Sequence, residues 1–191
     1  MDVFRSVIID HLEEVYGREN VGIAYIYCTY REETHTATNL ISSLLKQLLQ
    51  QLRPISSSIL DLYRHHRDKT TRPSLSEYSR LLAAELHRFS KVFVVIDALD
   101  ECTEEGRVRE QFLTEVLKLI PSVSLLLTSR DIPDMKRKFE VAARLDIQAS
   151  DEDIRIYLES RIETELASFI KRDSTLRTDI LTTIIEKAQG M

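Results

Sequence analysis

The sequence predicts an α/β protein built on a mostly parallel sheet with helices on both faces. Three apolar runs, residues 21–28, 92–96 and 123–127, have the composition of buried strands. Segments with helical periodicity separate them, and strands that are apolar throughout must be covered on two sides. A weaker fourth strand is predicted over residues 144–147. The 191 residues suffice for one α/β domain with a sizeable core.

Helices are predicted wherever apolar residues recur at steps of three and four. These segments cover residues 2–16, 40–49, 55–63, 74–89, 107–120, 150–162 and 176–188. Ser74 and Glu77 form a capping-box pattern, and Ser150 precedes Asp153 in the same way. We expect the leucines at 40–49 to be buried in the core rather than to bind a partner, and the basic stretch 64–73 to be a solvated loop.

Composition excludes several classes of function. The net charge is -5 and the pI is about 5.6, so no overall positive field exists to attract nucleic acid or an anionic membrane. No stretch reaches the roughly 18 apolar residues that a membrane span requires, and no signal-peptide pattern is present. Cys28 and Cys102 are far apart and lack metal-site spacing. These features predict a reduced, cytoplasmic protein.

The run KVFVVIDALDEC, residues 91–102, is the strongest candidate for chemistry. Parallel strands bind ligands at their carboxyl ends, so Asp97 is expected at the rim of a cleft, where it can hold Mg²⁺ through water. Asp100 and Glu101 follow closely enough for one of them to orient an attacking water. The alternative is a strand that simply ends in a polar turn, although three carboxylates within five residues repel one another without compensation.

The third apolar run ends in Thr128, Ser129 and Arg130. In a parallel sheet these residues come to the same rim as Asp97. The planar guanidinium of Arg130 is suited to a terminal phosphate. A strand-end arginine that pairs with a local acid such as Asp131 is the alternative.

Together, VFVVIDALDEC and SLLLTSRD resemble the NACHT domains of fungal signalling NTPases, which are relatives of animal innate-immunity receptors. The stretches VGIAYIYCTYREE, LISSLLKQLLQQL, ASDEDIRIYLESRI and EKAQGM are similar to the same family. The resemblance implies a three-layer P-loop NTPase fold and an ATP- or GTP-dependent STAND-class switch, as in innate immunity or heterokaryon incompatibility, flanked by effector and repeat domains. It also implies that residues 1–149 are the nucleotide-binding core and 150–191 the start of a helical lid.

The resemblance assigns roles to six residues. Asp97 would be the Walker B ligand of Mg²⁺, and Asp100 and Glu101 would be the catalytic acids. Arg130 would sense the terminal phosphate, and Thr128 and Ser129 would complete the nucleotide-binding rim.

The family pattern begins with a strand and a glycine-rich loop that ends in Gly-Lys-Ser/Thr. This sequence has four glycines, Gly17, Gly22, Gly106 and Gly190, and no Gly-Lys pair. We therefore expect an N-terminally truncated domain with weak or absent nucleotide binding, and unpaired sheet edges that favour self-association. Two alternatives stay open: a non-enzymatic scaffold or protein-interaction module that keeps the fold, and an NTPase whose loop lies upstream.

Overall fold

The chain forms two compact units, Met1–Glu140 and Val141–Met191. A computed structural model describes residues 3–17, 19–30, 36–102, 107–170 and 175–188, with the backbone alone at residues 3–6 and 134. Part of the loop after the first strand, the last three residues, Gly106 and Gly190 lie outside the described residues. The sequence placed the boundary between units at 149/150.

The first unit alternates helices and strands. Its elements are α1 (Val3–Tyr16), β1 (Val21–Tyr27), α2 (Ala37–Gln51), α3 (Ser57–Asp68), α4 (Leu75–Leu86), β2 (Lys91–Asp97), a 3-10 turn (Leu99–Glu101), α5 (Val108–Leu117), a second 3-10 turn (Ile120–Ser122), β3 (Ser124–Leu127) and α6 (Pro133–Lys138). The second unit contains α7 (Asp151–Glu165), α8 (Ala167–Ile170) and α9 (Leu176–Ala188). Both predicted capping patterns are confirmed as capping boxes, at Ser74 and at Ser150.

The predicted parallel sheet is confirmed. Its strand order is β1-β2-β3, and both pairings are parallel. Tyr27 lies opposite Asp97, and Ile96 lies opposite Leu127. The carboxyl ends of all three strands therefore meet at one edge of the sheet, as the apolar composition of the strands predicted.

Helices cover both faces of the sheet. On one face Val92, Val94 and Ile96 of β2 join a core with the leucines of α2 and with residues of α4 and α5. The expected burial is confirmed for Leu40, Leu44, Leu45 and Leu48, whereas Leu49 is half-buried. On the other face the ring of Tyr16 at the end of α1 lies 5.2 Å from the ring of Phe93. The α/β class is thus confirmed, with a sheet between two helical layers.

The free edge of β1 is covered by two glutamines of α2. Gln51 accepts a hydrogen bond from the Ile23 backbone N–H at 3.0 Å and donates one to the Ile23 carbonyl at 2.6 Å. Gln47 does the same for Tyr25, at 3.0 and 2.8 Å. A turn of helix separates the two amides by about the distance between alternate residues of a strand. Within the described part of the chain β1 has no strand on this side, and the two amides take the place of one.

Two sequence predictions about local structure are wrong. Residues 144–147 form no strand: Leu145 is 82% exposed, and Arg144 makes an ion pair with Asp146 at 2.6 Å. The alternating pattern there has no sheet to join, and an isolated strand is not stable in water. The helix predicted over residues 55–63 continues to Asp68, so the first half of the predicted basic loop 64–73 is helical and only its second half is a loop. In the described part of the chain, no helix has the length and apolar character of a membrane span.

The glutamine cover predicts a specific loss of stability. We expect Gln47→Ala and Gln51→Ala each to lower the free energy of unfolding by about 1–2 kcal/mol, because each leaves a partly buried N–H and C=O without a protein partner. Urea unfolding of the purified chain measures the change. Gln50→Ala is the matched control, since Gln50 is an exposed residue of the same helix and should cost less than about 0.5 kcal/mol. Equal losses in all three variants would contradict this interpretation.

Candidate functional site

Asp97 and Thr128 form the centre of the charged edge of the sheet. They lie side by side because β2 ends at Asp97, and the strand β3 paired with it ends one residue before Thr128. The Thr128 hydroxyl donates a hydrogen bond to Oδ1 of Asp97. The same hydroxyl oxygen accepts from the Ala98 N–H at 2.9 Å, and the Thr128 N–H donates to the Ile96 carbonyl at 2.9 Å. These bonds fix the orientation of the Asp97 carboxylate.

A left-handed residue turns the chain directly after Asp97. Ala98 has φ 54° and ψ 48°, a conformation that costs a non-glycine residue roughly 1–2 kcal/mol. The turn is held by the Leu99 N–H, which donates to the Thr128 carbonyl at 2.9 Å, and by the full burial of the Leu99 side chain. The turn brings Asp100 and Glu101 back toward the end of β3.

Asp100 and Arg130 form an ion pair across the ends of β2 and β3. The Arg130 Nε donates to Asp100 Oδ2 at 2.5 Å, and the Arg130 backbone N–H donates to Asp100 Oδ1 at 3.1 Å. The Asp100 side chain is 8% exposed, whereas that of Arg130 is 80% exposed. Burial raises the pKa of Asp100, but the two hydrogen bonds and the charge of Arg130 outweigh it, so the net pKa is lowered.

Glu101 and Ser129 lie at the margin of this cluster. The Asp100 carboxylate raises the pKa of Arg130, and the charge of Glu101 adds to that rise, which places Glu101 within electrostatic reach of the guanidinium. The Ser129 hydroxyl donates to the Arg130 carbonyl at 2.9 Å. Five of the six predicted residues therefore converge, while the Ser129 side chain bonds to its own loop.

The pairing partner of Arg130 differs from the one considered as the local alternative. Arg130 pairs with Asp100, and Asp131 instead makes an ion pair with Lys136 at 2.8 Å. Arg130 is thus tied to the charged edge of the sheet rather than to its own loop. Its terminal guanidinium nitrogens make no hydrogen bond to any other described residue.

Two cysteine thiols lie beneath the charged edge, and sequence analysis did not bring them together. Cys28 follows β1 and its N–H donates to the Asp97 carbonyl at 3.0 Å, while Cys102 follows the 3-10 turn. Both are free and buried. A hydrogen bond to Cys102 raises the pKa of the Cys28 thiol, and burial raises it further. The available signal was one cysteine directly after β1 and another a few residues after the end of the neighbouring strand β2.

Asp97 is suited to bind Mg²⁺, which needs few protein ligands. Among the described residues no group of three or more His, Cys, Asp or Glu side chains could hold a metal ion. However, Mg²⁺ keeps most of its waters and takes only one or two carboxylates. One Asp97 oxygen is bonded to Thr128, and the other makes no hydrogen bond within the described part of the chain. The half-exposed carboxylate can therefore accept hydrogen bonds from the water shell of a cation.

The fold and the site define an α/β protein whose charged cluster lies at the carboxyl edge of a parallel sheet. The chain belongs to the Nephrocystin 3 N-terminal family, whose model matches residues 3–130. No curated protein matches the sequence. Among solved structures it is similar to a chain titled "Replication initiator DnaA bound to AMPPCP and single-stranded DNA", with 12% identity and a TM-score of 0.32. That similarity covers 100% of this chain and 62% of the other.

The Asp100–Arg130 pair predicts a pH-dependent contribution to stability. Because the pKa of Asp100 is lower in the folded chain than its ordinary value near 3.9, the contribution is present above that value and is lost as the pH falls through the folded pKa. We expect Asp100→Asn to lower the free energy of unfolding by about 1 kcal/mol at pH 7 and by progressively less below about pH 4. Urea unfolding across this pH range measures it.

Asp61→Asn is the matched control for this experiment. Asp61 pairs with Arg64 at 3.4 Å, and both side chains are mostly exposed. Its substitution should change stability little at any pH. An Asp100→Asn effect that does not depend on pH would contradict the assigned ion pair.

The left-handed turn at Ala98 predicts opposite effects of glycine at two positions. Ala98→Gly should raise the free energy of unfolding by about 0.5–1 kcal/mol, because glycine adopts positive φ without steric cost. Ala84→Gly, at an exposed position of α4, should lower it by about 1 kcal/mol. Thermal unfolding of both variants measures the changes. A loss of stability in both would show that the turn at Ala98 is unstrained.

Proposed function

We propose that this chain carries the acidic and phosphate-sensing half of the nucleotide site of a NACHT/STAND-type switch. The single observation that supports the proposal is the convergence of Asp97, Asp100 and Arg130 at the carboxyl edge of a parallel sheet. Two carboxylates and a guanidinium placed where parallel strands bind ligands match the needs of a magnesium–nucleotide complex. The family match is compatible with this function and leaves it a proposal.

In this proposal Asp97 is the Walker B ligand of Mg²⁺. Thr128 holds the Asp97 carboxylate in one orientation. Its other oxygen can therefore accept hydrogen bonds from the hydration shell of the cation with little loss of side-chain conformational entropy. A bound Mg²⁺ neutralises charge on the β- and γ-phosphates. Thr128 acts as a positioning residue, because its hydroxyl is already committed to Asp97 and to the Ala98 backbone.

Asp100 holds one side of the Arg130 guanidinium and leaves the rest of it exposed. The pair uses the Nε and the backbone N–H of Arg130, which leaves the two terminal nitrogens for phosphate oxygens. A guanidinium held in this way binds a terminal phosphate with little further loss of side-chain freedom. Loss of that phosphate would leave the terminal nitrogens of Arg130 without a ligand. Because Arg130 is bonded to Asp100, a movement of Arg130 would then shift the turn after β2.

Glu101 is the candidate for polarising an attacking water. Unlike Asp100, it makes no ion pair within the described residues, and it is half-buried beside Arg130. A carboxylate in that setting can accept a proton from water that lies against the terminal phosphate. We therefore assign the water-activating role to Glu101 and the positioning role to Asp100.

The phosphate cradle is the part of the site that this sequence does not supply. No Gly-Lys pair occurs in it, so the backbone N–H groups and the lysine of a Walker A loop would come from residues outside this sequence or from a partner. Without them we expect nucleotide affinity in the millimolar range, with ATP and GTP as equal candidates. The flanking effector and repeat domains belong to the same proposal.

Thermal unfolding with 10 mM Mg-ATP or Mg-GTP tests the proposal. A ligand at about ten times its dissociation constant adds roughly 1.4 kcal/mol of stability, which for a chain of this size is a rise in Tm of about 3–6 °C. We expect the rise to disappear with EDTA and in Asp97→Ala and Arg130→Ala, each compared with its own ligand-free Tm. Lys118→Ala, which removes an exposed cation paired with Glu115, is the control and should keep the rise.

Each other outcome has a definite meaning. No rise in the unsubstituted chain would favour the non-enzymatic scaffold, in which the charged edge binds no nucleotide. A rise that survives in Asp97→Ala would place the nucleotide elsewhere. Saturation at micromolar nucleotide would contradict the expectation that the cradle is missing.

A further inference from the structure

An apolar groove with a volume of about 850 Å³ lies among the α2, α3 and α4 helices, away from the charged edge of the sheet. None of the candidate site residues lines it. Its apolar wall on α2 includes Leu45 and Leu49, and α3 contributes Ile59, Leu62 and Tyr63 across from them. The groove is therefore a separate feature of the first unit.

The α3 helix is unusual in having an apolar face with no fully buried residue. None of the residues in Ser57–Asp68 is buried. Tyr63 is 62% exposed, and Ile55, just before the helix, is 50% exposed. Helices of globular proteins normally bury such a face. The face borders the groove instead of closing it, which leaves apolar surface available to a partner.

The groove is positively charged although the chain as a whole is acidic. Its lining includes Lys46, Arg53 and Arg67 and no Asp or Glu, in a chain of net charge -5. The ring of His66, which also lines the groove, lies 3.3 Å from the Glu77 carboxylate. Lys46 and Arg53 form no ion pair among the residues that the structure describes, whereas Arg67 pairs with Asp68 at 2.9 Å. The uncompensated cations therefore lie on the α2 side, where an acidic partner would be attracted.

The spacing of these cations favours a helical occupant over a small anion. The α2 side of the groove runs along the helix from Ser42 to Gln50, about 12 Å at helical rise, and continues past the helix end to Leu52 and Arg53. Lys46 lies on α2, whereas Arg53 lies two residues beyond its end, after the extended Leu52. The five helical residues between Lys46 and Gln51 span about 8 Å, and the two residues after them add up to about 7 Å. One carboxylate cannot contact both, but acids two turns apart on one flank of a helix can.

We propose that this groove binds an acidic amphipathic helix of a partner protein. The apolar face of that helix would contact the α2 and α3 walls, and two of its carboxylates, one heptad apart, would pair with Lys46 and Arg53. This arrangement is the helix-in-groove mode of peptide recognition, with charge complementarity selecting the partner. The interaction is independent of the proposed nucleotide site.

The probe is a fluorescein-labelled 16-residue peptide with leucines at heptad positions a, d and e and glutamates on both flanks. Its binding to the whole chain is measured by anisotropy at low and high salt. We expect saturable binding that weakens with salt and that falls at least about tenfold in the double variant Lys46→Glu, Arg53→Glu. Tyr63→Ala should weaken it by a similar factor, because exposed tyrosines often dominate such contacts.

Three controls separate recognition from adhesion or misfolding. Arg80→Glu reverses an exposed charge on α4 outside the groove and should change affinity less than about twofold. A peptide with lysine in place of every glutamate keeps the apolar face and should not bind. Circular dichroism and urea unfolding of each variant establish that it is folded, and the substitutions involve exposed residues.

Four results would overturn the proposal. They are absence of binding, equal binding of the lysine peptide, unchanged affinity in the double variant, and sedimentation of the chain as a dimer that the double variant dissociates. The last result would mean that a second copy occupies the groove. Palmitate that binds with the same sensitivity to the double variant, while the acidic peptide does not bind, would identify a small amphipathic anion instead.

Discussion

Three parallel strands that end at one level determine where every charged side chain of the candidate site can lie. The central strand β2 is buried on both faces for most of its length, so it cannot shift by one residue without moving apolar side chains out of the core. That constraint fixes Asp97 beside Thr128, and the turn at Ala98 then fixes Asp100 beside Arg130. The packing of the core thus sets the chemistry of the edge.

The ion pair between Asp100 and Arg130 answers the electrostatic problem that the sequence poses. Three carboxylates within five residues would repel one another in a site without a cation, and Arg130, in the loop after the neighbouring strand β3, supplies that cation. The arrangement is stable by itself and leaves most of the guanidinium exposed. A ligand with a terminal phosphate would complete a network that already exists, which costs less ordering than building one.

Much of the fold and of the site was predictable from sequence because both follow from local patterns. Long apolar runs gave the three strands, and the carboxyl ends of parallel strands gave the shared position of Asp97 and Arg130. The features that the sequence did not predict depend on contacts between distant segments. They are the hydrogen bonds from Gln47 and Gln51 to β1, and the contact of Cys28 with Cys102. The false strand at 144–147 arose for the same reason, since alternation alone does not reveal whether a neighbouring strand exists. The sequence predicts Ser129 at the same rim, but the direction of its hydroxyl, which bonds to the Arg130 carbonyl, has no sequence signature.

The two glutamines that cover β1 make the two outer edges of the sheet unequal in their capacity to pair with a further strand. Their amides occupy the outward hydrogen-bonding groups of Ile23 and Tyr25, whereas β3 pairs only with β2 among the described strands and exposes Leu126 by 40%. Among the described strands, β3 is therefore the edge beside which a further strand can pair, and that strand would lie next to Thr128 and Arg130, which follow β3 in the chain. The glutamines of α2 close the β1 side of the sheet. A strand that extends the sheet beside β3 would therefore also become a neighbour of the charged edge.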